Sequence, residues 1–103
     1  MQVRPMKQIT IKMPKQFCRQ TRNWFNKTDG YGCFYGEFAV QVFGVPRTYN
    51  EMCFFPVYGE YGMGSEFAHA LLTAHSDTAW KSSRIRRAKF REVCEKYGVK
   101  VIG

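Results

Sequence analysis

The residues with most to offer chemically are cations set at helical spacing. Lys15, Arg19 and Arg22 recur at i, i+4 and i+7, and Arg84, Arg87 and Arg91 at i, i+3 and i+7. On a helix each trio forms one stripe. Arginine suits phosphate because its planar fork donates two hydrogen bonds at once. A row of such cations also gains from counterion release on a polyanion, whatever the base sequence. If the two helices pack on one face of a sheet, the six side chains make one continuous cationic surface. A second feature is the run Gly59-Glu60-Tyr61-Gly62-Met63-Gly64-Ser65, which leads from a strand-like segment into a helical one. Backbone N–H groups at a helix N-terminus can hold an anion, so Gly62, Gly64 and Ser65 form a candidate anion-binding turn.

Catalytic and metal-binding groupings are sparse. His75-Ser76-Asp77 sets three reactive side chains in a row, but general acid–base chemistry depends on convergence in space. A helix-end cap accounts for Ser76 and Asp77 equally well. His69, beside Leu71 and Leu72 on a helical pattern, reads as a packed or surface histidine. Cys18, Cys33, Cys53 and Cys94 are far apart, no C-x-x-C pair exists, and neither histidine neighbours a cysteine. Structural zinc sites show close ligand pairs. The sequence therefore gives no reason to expect a metal, a cofactor or an enzyme.

Three short runs resemble motifs of known families. Arg86-Arg87-Ala88-Lys89-Phe90-Arg91 resembles the end of a homeodomain recognition helix, with Ile85 where that family has its adenine-reading asparagine. What is kept from it is that a basic helix can lie along nucleic acid. Gly30-Tyr31-Gly32-Cys33-Phe34-Tyr35 resembles the aromatic–glycine strand with which RNA-recognition domains stack bases, and implies that Tyr31 or Tyr35 faces a base. Gly62 and Gly64 resemble the Arg/Gln-x-x-Gly-x-Gly turn of the N-acetyltransferases, with Gly59 in place of the basic or amide residue. That resemblance implies a small acyl-CoA-binding protein whose turn holds a pyrophosphate.

The elements that position these groups follow from periodicity. Ile9, Ile11 and Met13 alternate with polar neighbours, which predicts a strand over 7–13. Pro14 suits the first turn of a helix, and Phe17, Thr21, Trp24 and Phe25 recur at helical spacing to Asn26. Asp29-Gly30 is turn chemistry. From Tyr31 to Val45 the aromatic and β-branched residues predict a strand, with Phe38, Val40 and Val42 on one side. Met52 to Tyr58 predicts a second strand, pairing with the first as a hairpin, with Pro56 marking an edge. Such an edge makes a homodimer conceivable. Ser65 is set to cap a helix carrying Phe67, Ala70, Leu71 and Ala74. Ser76-Asp77 or Ser82-Ser83 then caps a helix to Tyr97, with Phe90, Val93, Cys94 and Tyr97 on its apolar face. Gly98 stands at its C-terminal end, and Val99 to Ile102 predicts a last strand. The order β-α-β-β-α-α-β implies an α+β fold with an antiparallel or mixed sheet covered by helices, ferredoxin-like topology being one such arrangement.

Composition bounds the rest. A chain of 103 residues suits a single domain spanning 1–103. Nine Phe, six Tyr and two Trp give it the means to close a core. No run approaches the ~20 apolar residues of a membrane span. The N-terminus carries charges where a signal peptide has its apolar region, so the expectation is a soluble cytoplasmic protein with reduced thiols. The net charge is +8, unevenly spread. Residues 1–28 hold seven Lys/Arg and no acid, 29–77 one Arg and six acids, and 78–103 eight Lys/Arg and two Glu. Cationic ends around an acidic middle predict a basic surface. The leading expectation is a non-enzymatic protein that contacts the phosphate backbone of DNA or RNA. The alternatives are an inhibitor or accessory factor docking on an acidic partner protein, such as a virus-encoded antagonist of a host factor, and the acyl-CoA reading.

Overall fold

The computed structural model describes residues 9–49 and 66–103. Alternation at both ends yields two short strands, β1 (Ile9–Lys12) and β2 (Val99–Ile102), which bury Ile11, Val99 and Val101. They pair in parallel, Ile9 opposite Val99 and Ile11 opposite Val101. Parallel strands need a long crossover. Here it includes three helices: α1 (Phe34–Phe43), α2 (Glu66–Asp77) and α3 (Ser83–Lys96). The fold class is α+β. The predicted strand order and antiparallel or mixed sheet are not found: the described residues run β-α-α-α-β around a two-stranded parallel sheet. Among them, no helix is long and apolar enough to cross a membrane.

Two segments fold otherwise than their periodicity implies. Residues 14–26 are not a helix. The carbonyls of Phe17 and Cys18 accept from the Arg86 guanidinium, and that of Gln20 faces His75 Nε2. The N–H of Cys18 donates to Gly32 O and that of Asn26 to Tyr31 O. Backbone groups that would close helical turns are thus engaged across the chain, over a stretch whose Thr, Asn and aromatic residues are weak helix formers. The segment from Tyr31 is not a strand beyond an isolated bridge between Phe25 and Gly32, and becomes α1. Cys33 caps it, its sulfur accepting from the Gly36 N–H at 3.3 Å. Gly44, at φ 70°, ends it in the left-handed conformation glycine favours. The run Phe34 to Ala39 is buried throughout, as befits a helix end enclosed by the core rather than lying on it.

α2 and α3 form where their apolar spacing places them. The Ser82 hydroxyl caps α3 by accepting from the Ile85 N–H at 3.3 Å. Gly98, at φ 88°, turns the chain into β2. Gln41 ties α1 to the sheet edge: its amide donates to Lys12 O and accepts from Lys12 N–H, both at 2.8 Å. At the centre Phe17, Phe34 and Phe90 pack with ring centroids 4.5 to 5.5 Å apart. Such pairs add to the stabilisation from burying aromatic surface. The strand expected at 52–58, its edge, and the turn with Gly62, Gly64 and Ser65 lie outside the described residues.

Candidate phosphate-binding site

The site starts from a side chain in an unusual place. Arg86 is 2% exposed. The spacing to Phe90, Val93 and Tyr97 puts it on the apolar face of α3. Its Nη1 donates to Phe17 O at 3.2 Å, and its Nη2 to Cys18 O at 2.9 Å and His75 Nδ1 at 3.0 Å. The guanidinium carbon lies 5.8 and 5.5 Å from the ring centroids of Phe17 and Phe34. Buried charges are ordinarily paired with an opposite charge. Arg86 has no carboxylate among the described residues, and its buried Nε–H finds no acceptor there.

His75 makes this arrangement self-consistent. A carbonyl only accepts, so the 2.7 Å contact between His75 Nε2 and Gln20 O places the ring proton on Nε2. Nδ1 is then a bare acceptor facing Arg86. Burial, with the nearby Arg86 charge contributing, pushes the imidazole down to about 4, although the Gln20 carbonyl favours its protonated form. The neutral ring therefore solvates a cation without adding charge. Arg86 is itself depressed, by burial first and by the Arg19 charge second.

Arg19 and Arg86 are thus close enough to repel, and both line a depression of about 150 Å³ with Gln16, Phe17, Ser83 and Arg87. Ser83 opens α3, whose first turn carries no acid against the positive end of the helix dipole. Arg19 Nη1 donates to Ala79 O at 2.7 Å and Lys81 O at 2.9 Å, fixing the chain ahead of α3. The rest of its fork has no protein acceptor among the described residues. Arg87, half-buried, has neither an ion pair nor a hydrogen bond there. The depression thus gathers the partly open fork of Arg19, the unengaged Arg87, the Ser83 hydroxyl and a helix N-terminus over the buried Arg86 charge, with no carboxylate among the described residues lining it, and such a set of donors suits an oxyanion.

Of the six cations singled out by spacing, Arg19 and Arg87 share this depression. Lys15 and Arg84 are exposed, each next in sequence to a lining residue, Gln16 and Ser83. Arg22 is exposed on the irregular segment. Arg91 is engaged elsewhere: it donates to Val101 O and Gly103 O and stands 3.9 Å from Glu95. Tyr35 is buried against Trp24, so it offers no ring to a base. Arg86 and Ser83 were missed by the spacing argument, although the four-residue step from Arg86 to Phe90 was a readable signal of a core-facing arginine. Elsewhere an ion pair with one buried partner stands apart from this site: the buried Glu37 takes the exposed Arg47 in a fork, at 2.6 and 2.9 Å, and accepts from Gly32 N–H at 2.6 Å. Comparison with protein-family models, curated proteins and solved structures yields no match to this chain.

Proposed function

We propose that this chain is a non-enzymatic binding protein that holds the phosphate groups of a nucleic acid at the mouth of α3. The observation that carries the reading is the convergence of Arg19, Arg86 and Arg87 on one depression that no described carboxylate neutralises. An oxyanion there offsets the repulsion between Arg19 and Arg86 and meets the open part of an Arg19 fork that Ala79 O and Lys81 O already hold, so at that residue little ordering opposes binding. Lys15, Arg84 and Lys81, all exposed, extend the positive field around it. Contact of this kind reads the backbone and not the base sequence.

The test is a fluorescence-anisotropy titration with mixed-sequence DNA and RNA at increasing salt. Binding should be measurable at low salt, weaken steeply as salt rises, and fall in Arg87→Ala and Arg84→Ala. Absence of binding to both nucleic acids at low salt overturns the reading. A pull-down with and without nuclease separates it from an acidic protein partner, whose complex survives the digestion.

A further inference from the structure

Beside the phosphate site stands the most exposed large apolar side chain among the described residues. Trp80 is 85% exposed, whereas Trp24 is fully buried. An indole left in water forgoes a large burial gain. The backbone beneath it is nonetheless fixed. Lys81 N–H donates to Thr78 O at 3.0 Å, closing a four-residue turn, and Thr78 Oγ1 donates to Ala74 O at 2.8 Å. Thr78 and Ala79 are buried. Arg19 clamps the carbonyls on either side of Trp80, those of Ala79 and Lys81. One guanidinium thus lines the phosphate depression and holds the turn that displays the ring. Three residue steps separate Trp80 from Ser83 at the depression, a reach of at most ~11 Å. A strand of a few nucleotides, at ~3.4 Å or more each, covers that separation.

From this juxtaposition we infer that Trp80 is a stacking platform for an unpaired base and that the ligand is single-stranded nucleic acid. The inference rests on the phosphate reading above and adds the strand state of the ligand. A flat aromatic beside a cationic groove is how single strands are held without base readout. A duplex stacks its bases on one another and offers only edges and backbone, so it presents no free face to Trp80. Of the two rings in the segment resembling an RNA-recognition strand, Tyr35 is in the core and Tyr31 is half-buried against it. The turn ahead of α3 supplies the ring instead.

The experiment compares four probes on the full chain: a mixed-sequence single-stranded DNA of about a dozen nucleotides, the RNA of the same sequence, the duplex, and inorganic polyphosphate of matched charge. Trp80→Ala and Trp80→Phe are measured beside the parent, with Arg87→Ala as the second axis. Single strands should quench the Trp80 emission, bind about ten-fold tighter than duplex and polyphosphate, and lose that margin in Trp80→Ala, with part retained in Trp80→Phe. Polyphosphate should bind the parent and Trp80→Ala alike. Because the side chain is in solvent, the thermal midpoint of Trp80→Ala should match the parent. Equal affinity of the parent and Trp80→Ala for single strands overturns stacking and leaves the phosphate reading in place. Loss of polyphosphate binding in Arg87→Ala supports the phosphate reading separately, and failure of all four probes at low salt removes both. DNA and RNA binding with equal margins assigns the site to either backbone, and a margin with one assigns it to that sugar.

Discussion

A guanidinium buried without a carboxylate tolerates its position only if its surroundings supply acceptors without charge. Arg86 finds them in two carbonyls and a neutral imidazole. The arrangement therefore depends on His75 remaining neutral, which burial favours by lowering its pKa from 6.5 to about 4. Between those values the unfolded chain binds a proton that the folded chain refuses, so acid favours unfolding. Stability is complete above pH 6.5 and falls as pH drops toward 4. By pH 5 the loss should be about 2 kcal/mol, at ~1.4 kcal/mol per pH unit. Urea unfolding at a series of pH values checks this, and His75→Gln, which offers an amide donor and acceptor that do not titrate, should flatten the slope. Glu37 poses the opposite case, a buried carboxylate whose partner Arg47 is half in solvent. Glu37→Gln turns an N–H₂ toward a donor and leaves Arg47 to water. It should cost about 2 kcal/mol in chemical denaturation, less than breaking a fully buried pair because Arg47 can rehydrate.

At the level of elements, α1 shows where local pattern and tertiary demand part. Phe38, Val40 and Val42 alternate as they would on a strand, yet Phe34, Phe38 and the run through Ala39 satisfy a helix enclosed by the core. The alternation is real but spans only Phe38, Val40 and Val42, too short to outweigh the run from Gly32 to Ala39 in which every residue is buried. Residues 14–26 fail for a different reason: their helical spacing survives, but a remote arginine and histidine capture the carbonyls. Neither contact is visible to a local window. α3, by contrast, was legible at its C-terminal end and along its apolar face, where the spacing and Gly98 agree, while its start stood open between Ser76-Asp77 and Ser82-Ser83 until Ser82 was found to cap it. Half of the candidate site was legible too. Arg19 and Arg87 carry charge that composition exposes, whereas Arg86 looks like one more surface cation until its helical phase is read against Phe90. Gly36 tests the packing of α1. Alanine in a helix interior normally stabilises relative to glycine, but a Cβ here would lie 2.8 Å from the Trp24 carbonyl oxygen, a backbone atom. Gly36→Ala should therefore destabilise, by about 1–3 kcal/mol, and a raised thermal midpoint would show that the approach of Trp24 to α1 is looser than described.

Over the whole molecule, the positive charge is not uniform in what it can do. Ion pairs occupy Arg47, Lys89 and Arg91, at 2.6, 3.6 and 3.9 Å from their carboxylates, and none among the described residues occupies Lys15, Arg19, Arg22, Arg84, Arg86 or Arg87. The net charge of +8 is thus an excess that the described ion pairs do not absorb, part of it converging on α3's N-terminus. Salt dependence can separate that organised fraction from the diffuse remainder. On a single strand the logarithm of the binding constant falls with the logarithm of salt, with a slope of about −0.7 per phosphate contact. Arg87→Ala should weaken binding and make the slope shallower by about that amount, because one contact and its released counterion disappear together. Lys89→Ala removes the same formal charge from the same helix, but Glu92 already offsets it, so the slope should hold. Trp80→Ala should also keep the parent slope while losing affinity, since stacking releases no counterion. If Arg87→Ala and Lys89→Ala change the slope equally, the protein attracts polyanions by net charge alone and the depression at α3 has no special part in it.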